Sequence, residues 1–202
     1  MLKFAKRIDM ELADLDLSKT YTYADYFKWT FDERVELIKG KIFRMSPAPN
    51  RIRQEITGTI YRKIGNFLER NPCCVYVAPF DVRLTRKSKD DQSITTVLQP
   101  DVCVICDPSI LDDRGCVGAP DIVVETLSPG NSKKEVKNKF EVYEEAGVKE
   151  YWIVDPIRQT LQVNRLQDGR YVILPALTTE DKITTSILPG FSLDLAQLFD
   201  KF

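Results

Sequence analysis

Two carboxylates and one lysine lie within or next to segments that otherwise consist of apolar side chains. Asp101 opens the apolar run VCVIC, and Glu125 follows the run IVV. Lys139 lies within the stripe formed by Val136, Phe140 and Tyr143 on a predicted helix. An unpaired carboxylate in a buried strand costs several kcal/mol, so each acid must be hydrogen-bonded, ion-paired, neutralised or bound to a cation.

These three side chains together would suit metal-assisted hydrolysis of a phosphodiester. Alternation along a strand places Asp121, Val123 and Glu125 on one face, and a neighbouring strand could bring Asp101 toward Glu125. Two carboxylates a few Å apart repel each other unless a divalent cation lies between them, and Mg²⁺ or Mn²⁺ accepts such oxygen ligands. The cation would lower the pKa of a bound water, and Lys139 would position that water or stabilise the phosphate.

Each of these residues alone also has a purely structural explanation. An Asp after Pro often forms a turn, a Glu at a strand end often reaches solvent, and a Lys at the edge of a stripe often extends its ammonium group to water. Their occurrence on three consecutive predicted elements favours one shared site.

The composition limits the available chemistry further. The chain contains no histidine, which excludes Ser-His-Asp and Cys-His hydrolysis, histidine-ligated zinc and a histidine general base. Cys103 and Cys106 match C-x-x-C, but a strand turns them to opposite faces and no second such motif completes a four-ligand site. The five cysteines are an odd number, so we expect reduced thiols and no secreted disulfide framework.

Length and charge are those of an ordinary globular domain. The 202 residues are 43% hydrophobic and 29% charged, with a formal net charge of -1. A single domain with a sizeable core is therefore expected. No apolar run approaches the roughly 18 residues of a membrane helix, and charges occur throughout the amino-terminal segment, so we expect a cytoplasmic protein with no membrane partner.

The predicted elements include both strands and helices. A hairpin that turns at Lys39-Gly40 is expected first, and apolar residues at every third or fourth position predict a helix over 51–70. Ser132 and Gly147 are suited to cap the two ends of a second helix. Strands are predicted over 74–84, 97–106, 121–127 and 149–155, followed by a hairpin around 168–169 and an apolar tail. Because strand, helix and strand succeed one another over 121–155, we expect a parallel pair in a mixed sheet covered by helices.

Four segments follow one another in the order QPDVCVIC, GAPDIVVETLSP, a helix containing Lys139 and Tyr143, and GVKEYWIVDP. Together they resemble the Uma-type family of restriction-endonuclease-like proteins, a branch of the PD-(D/E)XK nuclease superfamily. The segment ELIKGKIFRMSPAP resembles the amino-terminal hairpin of that family, and the similarity runs from about Tyr21 to the carboxyl end. It implies one α/β (α+β) domain over 1–202, with a restriction-endonuclease-like core at about 51–156. An amino-terminal hairpin at about 33–46 and a carboxyl-terminal hairpin and tail at about 157–202 would complete it.

The resemblance also implies roles for individual residues. Asp101 matches the metal-binding aspartate of the Pro-Asp motif, and Glu125 matches the acid of the third strand. The usual lysine of the superfamily would stand two residues after that acid, where this chain has Leu127; Lys139 matches a lysine that this family supplies from the following helix. Glu36 matches the acid of the amino-terminal hairpin, for which both an auxiliary catalytic role and a structural role are considered.

The chain departs from the family pattern at two positions. A histidine often follows the Ser-Pro-Ala-Pro segment, where this chain has Arg53-Gln54, and an aspartate often begins the helix, where it has Glu135. Both departures leave Asp101, Glu125 and Lys139 in place.

The combined prediction is a Mg²⁺-dependent or Mn²⁺-dependent endonuclease that acts on DNA as a homodimer. Basic residues in a loop and at the start of the second helix are the predicted DNA-binding groups; they are Arg83, Arg86, Lys87, Lys133, Lys134 and Lys137. One alternative is a catalytically inactive nuclease-like domain that binds DNA or a protein partner. Another is a structural dimer that uses Trp29, Trp152 and the apolar tail.

Overall fold

Two six-stranded β-sheets form the framework of the molecule, for which a computed structural model describes residues 11–45, 51–85, 88–128 and 132–200. The first sheet contains, in spatial order, β2 (Lys41–Arg44), β1 (Val35–Ile38), β5 (Val97–Leu98), β4 (Val82–Arg83), β8 (Gly115–Val117) and β7 (Leu111–Asp112). The second contains β12 (Arg170–Ile173), β11 (Thr160–Gln167), β10 (Glu150–Asp155), β9 (Ile122–Thr126), β6 (Val102–Ile105) and β3 (Cys74–Val77). A separate pair consists of β13 (Lys182–Thr184) and β14 (Ser192–Asp194).

The described helices are α1 (Tyr23–Tyr26), α2 (Arg51–Leu68), α3 (Lys133–Ala146) and α4 (Leu195–Phe199), with short 3-10 turns at Leu12–Asp14 and Pro108–Ile110. Both predicted caps of α3 are confirmed. The Ser132 hydroxyl accepts a hydrogen bond from the Glu135 backbone N–H at 3.1 Å, and Gly147 ends the helix with a φ of 93°. Within the described ranges, none of the helices has the length and apolar character needed to cross a membrane.

The second sheet is mixed, as the sequence predicts. β9 and β10 are parallel across the α3 crossover, whereas the other neighbouring pairs are antiparallel. Alternate residues such as Val102 and Val124 face a core that includes the buried isoleucines of α2 and residues of α4. The opposite parity, which includes Cys103 and Val123, packs against Tyr143 of α3 and residues of the first sheet. The prediction of a mixed sheet flanked by helices is confirmed.

Two hairpins form where they are predicted. β1 and β2 turn at Lys39-Gly40, where both residues have positive φ angles of 51° and 76°. Such angles belong to the tight two-residue turns that match the twist of a hairpin. β11 and β12 turn in the same way at Asp168-Gly169.

Two predicted strands are in fact interrupted. The predicted strand over 74–84 divides into β3 and β4, which belong to different sheets, and the one over 97–106 divides into β5 and β6 in the same manner. Each break contains a proline, Pro79 or Pro100, which lacks the N–H that a continuous ladder needs. The chain therefore crosses between the sheets at these points, and the second crossing places Asp101 at the beginning of β6.

The expectation that all thiols are reduced is wrong for one pair. Cys73 and Cys106 form a disulfide. They lie at the ends of adjacent antiparallel strands, where the register that pairs Cys74 with Ile105 also brings Cys73 opposite Cys106. Cys103 is buried and unbridged, so the two cysteines of the C-x-x-C motif have different environments.

Trp152 is fully buried in the core that α2 covers. It therefore cannot contribute to the surface of the alternative structural dimer. Its indole N–H donates to Glu150 at 2.9 Å, which satisfies its polar atom inside the protein.

Candidate active site

Glu125 occupies the penultimate position of β9, between β6 and β10 in the second sheet. Its side chain points toward α3, and Oε1 accepts hydrogen bonds from Lys139 Nζ and the Tyr143 hydroxyl, both at 2.9 Å. Only 6% of the residue is exposed. The strand parity that predicts an inward-facing acid is therefore correct.

Lys139 links the two sheets through α3. Its Nζ donates to Glu125 at 2.9 Å and to Oε1 of Glu36, on β1 of the first sheet, at 3.0 Å. The buried stripe of α3 differs from the predicted one, because it consists of Lys139, Val142 and Tyr143, whereas Val136 and Phe140 are only half-buried. The buried face of α3 is thus rotated relative to the predicted one, and Lys139 lies at its centre, with its ammonium group between the two acids.

Glu36 connects the hairpin to the segment that carries Asp101. The same Oε1 that binds Lys139 also accepts the backbone N–H of Gln99 at 3.0 Å. Glu36 is 3% exposed. It joins the predicted site and fixes the chain two residues before Asp101, so its position suits both of the roles considered for it.

Asp101 lies opposite Glu125 across the two neighbouring strands. The antiparallel register that pairs Val102 with Val124 brings Asp101 and Glu125 opposite each other one step further along. Directly opposed residues have Cβ atoms about 4.5–5.5 Å apart. Asp101 Oδ2 accepts the backbone N–H of Thr126 at 2.8 Å, which ties the acid to the end of β9.

Arg53, in the first turn of α2, forms a two-bond ion pair with Asp101. Its Nε donates to Oδ2 at 3.2 Å and its Nη2 donates to Oδ1 at 2.8 Å. The sequence drew attention to Arg53 only as a departure from the family pattern and did not predict this contact. No local signal could show it, because the two residues are 48 positions apart in the chain.

The cluster contains three carboxylates and two cationic side chains in a buried setting. Burial raises the pKa of Glu125 to about 7; Lys139 opposes this shift, while Asp101 and Glu36 add to it. Burial alone would lower the pKa of Lys139, but Glu125 and Glu36 outweigh that effect and raise it. Burial also raises the pKa of the Tyr143 hydroxyl, and Glu125 raises it further. Lys139 and Tyr143 therefore both remain protonated donors.

The acid pair offers a divalent cation two carboxylates from adjacent strands. Within the described ranges, no set of three or more His, Cys, Asp or Glu side chains forms a metal site by itself. Mg²⁺ is commonly held by one or two carboxylates and keeps water or phosphate oxygens in its other positions. Asp101 and Glu125 fit that mode of binding.

The predicted DNA-binding residues have different environments. Lys133, Lys134 and Lys137 are exposed on the first half of α3. Arg83, in contrast, is fully buried and donates to Asp112, so its guanidinium group is not exposed at the surface where DNA would bind. The sequence suggested a solvated cluster because the tertiary partners of Arg83 are distant in the chain. Residues 86–87, the predicted Arg86 and Lys87, lie outside the described residues.

A cleft adjoins the end of β9. Leu127 and Ser128, which follow Glu125 and Thr126, form one side of it, and residues of α3 and of the turn after β10 form the rest. Lys133 and Arg158 contribute cationic side chains to this lining. The cleft thus lies between the segment that follows Glu125 and the exposed basic start of α3.

Comparison with protein-family models identifies the family to which the chain belongs. The family model described as "Putative restriction endonuclease" (Uma2) matches residues 23–196. The chain belongs to this family. The match includes Glu36, Asp101, Glu125 and Lys139, so every residue of the acid and lysine cluster lies within the family region.

A solved structure shows the same fold. It is described as a putative nuclease belonging to DUF820 from Anabaena variabilis ATCC 29413, and it is 20% identical to this chain. The similarity covers 89% of this chain and 98% of that one, with a TM-score of 0.70. A comparison with curated proteins found no match.

Proposed function

We propose that this member of the family is a metal-dependent endonuclease that hydrolyses phosphodiester bonds in DNA. The observation that carries the proposal is the buried Lys139 ammonium group held between Glu36 and Glu125, with Asp101 opposite Glu125. Three carboxylates and a lysine at the meeting point of two sheets are costly to bury, and such clusters of charged groups occur preferentially at functional sites. Membership in a family of restriction-endonuclease type supports the same conclusion.

Asp101 and Glu125 would hold a Mg²⁺ or Mn²⁺ ion. When bound, the ion would supply an acidified water and would neutralise charge that develops on the phosphate. Glu36 would orient Lys139 and so act as a positioning residue. Among the described residues, the structure pairs two of the three N–H bonds of Lys139, to Glu36 and Glu125. The third would donate to the attacking water or to a phosphate oxygen.

Lys133, Lys134 and Lys137 would contact the DNA backbone beside the cleft. Their exposure on α3, close in sequence to the buried Lys139, supports this assignment. The net charge of -1 means that attraction to phosphate must come from such a local patch. Cutting both strands of a duplex would use two copies of the site, so we propose a symmetric homodimer.

The test is cleavage of supercoiled plasmid DNA with Mg²⁺, Mn²⁺ or EDTA. Wild-type protein should cut with either ion and stop with EDTA. Asp101→Asn and Glu125→Gln should each lower the rate by about a hundredfold or more, a typical loss for a group that acts on the reacting atoms. Glu141→Gln is the matched control, because it removes one exposed acid of α3 and should leave the rate unchanged. Cleavage at the wild-type rate by both Asp101→Asn and Glu125→Gln would contradict the proposal.

A second candidate is a nuclease-like domain that binds DNA or a protein partner without cutting. The ion pair between Arg53 and Asp101 favours it, because a guanidinium group already neutralises one proposed metal ligand. Folded wild-type protein that retards DNA in a gel, but neither cleaves it nor binds Mn²⁺, would support this candidate over the enzyme.

A further inference from the structure

Arg53 lies beside the acidic cluster, in contact with Asp101, and the proposed reaction gives it no role. It belongs to the first turn of α2, and 22% of its side chain is exposed. Both bonds of its guanidinium group go to the same carboxylate, that of Asp101. This planar, two-bond geometry is the strongest pairing that an arginine makes with an acid.

The pairing engages the oxygens that a metal ion would need. Asp101 Oδ2 accepts both the Arg53 Nε–H and the Thr126 backbone N–H, which together use its two lone pairs. Oδ1 accepts the Nη2–H of Arg53. A cation that approaches Oδ1 would meet the positive charge of the guanidinium group a few Å away. Binding therefore requires Arg53 to withdraw from Asp101 or to tolerate strong repulsion.

Charge balance supports the same competition. Glu36, Asp101 and Glu125 carry three negative charges when ionised, against two positive charges on Lys139 and Arg53. With Arg53 in place, a divalent ion would leave the cluster with an excess positive charge. With Arg53 withdrawn, the same ion would bring the remaining groups to neutrality.

All three acids of the cluster interact electrostatically with Arg53. Burial by itself lowers the pKa of the Arg53 guanidinium, but Asp101 raises it through charge and hydrogen bonds, and Glu125 and Glu36 add to that increase. Arg53 therefore occupies the shared negative field of the cluster and not merely the vicinity of one surface acid. A metal ion would be attracted by this same field.

We propose that Arg53 is a resident counter-ion that competes with the divalent cation for Asp101 and thereby sets the metal affinity of the site. In the absence of metal it neutralises a buried acid, and on metal binding its side chain leaves Asp101 toward solvent. The inference rests on the proposed function, since it takes Asp101 as a metal ligand.

The test compares Mn²⁺ affinity, measured by calorimetry without DNA, in the wild type and in Arg53→Met. The variant should bind Mn²⁺ about tenfold more tightly or better, because the net effect of a hydrogen bond to a charged group typically exceeds that factor. Arg51→Met is the matched control. Arg51 lies on the same helical turn, is 69% exposed and pairs with Glu55, so its loss should leave Mn²⁺ affinity unchanged. An Arg53→Met protein that binds Mn²⁺ no better than the wild type would overturn the proposal.

A measurement on the wild type covers the case in which Arg53→Met does not fold. The ¹⁵N resonance of the Arg53 Nε–H, identified by its loss in Arg53→Lys, should shift and exchange faster with water as Mg²⁺ is added, while that of Arg51 stays constant. Mg²⁺ binding that moves the Thr126 amide signal but leaves the Arg53 signal unchanged would overturn the competition alone. If Asp101→Asn binds Mn²⁺ as tightly as the wild type, the metal-ligand assignment fails as well, and the two failures are thus distinguishable.

Discussion

Replacing Lys139 with Met removes the ammonium group that holds the site together. Glu36 and Glu125 would then face each other while 3% and 6% exposed, with no lysine between them. Breaking a buried ion pair by removing one partner costs about 3–5 kcal/mol. For a domain of this size each kcal/mol lowers Tm by about 2–4 °C, so Tm should fall by roughly 6–20 °C at pH 7.

The loss of stability caused by Lys139→Met should depend on pH. At pH 5 Glu125 takes up a proton, because its pKa is already raised to about 7 and rises further without the lysine. Neutralising the acid removes much of the repulsion, so the stability difference between the wild type and Lys139→Met should shrink. Urea unfolding at pH 5 and pH 7, followed by circular dichroism, measures both values.

Lys137→Met serves as the control on the same helix. Lys137 is 75% exposed and pairs weakly with Glu141 at 3.8 Å, so its removal should change stability by less than about 0.5 kcal/mol. The reasoning fails if Lys139→Met is as stable as Lys137→Met at pH 7. It also fails if the loss in Lys139→Met is the same at both pH values.

Three further outcomes are expected. Because the pKa of Glu125 is raised from 4.5 to about 7 in the folded state, its ionisation lowers the free energy of unfolding as the pH rises between these two values. Glu125→Gln should therefore flatten the dependence of stability on pH in this range. An unchanged slope in urea unfolding experiments would contradict this prediction. Arg83→Met should lower stability by only about 1 kcal/mol, because Asp112 is 40% exposed and water can solvate it once its partner is removed. It should not weaken DNA binding in fluorescence anisotropy, because Arg83 is fully buried, and a selective loss of DNA affinity would contradict this expectation. Replacing Lys133 and Lys134 together with Ala should reduce the slope of log affinity against log salt by about 1.8, and a slope equal to that of the wild type would exclude them as phosphate contacts.

Much of the site could be predicted because it depends on strand parity and neighbouring strands. Glu125 faces α3 because it shares a parity with Val123, and Asp101 meets it because β6 and β9 are adjacent. The spacing of apolar residues along α3 correctly predicts that Lys139 faces the protein interior, although the buried face of the helix also includes Val142. These are short-range regularities of single elements and of one strand pair.

The contacts that were missed all depend on tertiary packing. Arg53 reaches Asp101 from a different helix, and Gln99 uses its backbone N–H, which is the same in every residue except proline. The polar loop beside Arg83 predicts an exposed side chain, because nothing in the sequence identifies Asp112, 29 positions away, as its partner. The disulfide between Cys73 and Cys106 likewise depends on the register of β3 and β6, which are separated in the chain by β4 and β5 of the other sheet.

The central claim is that Asp101 and Glu125 share one divalent cation. Electron paramagnetic resonance of Mn²⁺, titrated into wild-type protein, Asp101→Asn, Glu125→Gln and the surface control Glu141→Gln, tests it most directly. Wild type and Glu141→Gln should bind Mn²⁺ equally, and each site variant should bind it about 10–100-fold more weakly or not at all. Equal Mn²⁺ binding by all four proteins would contradict the account.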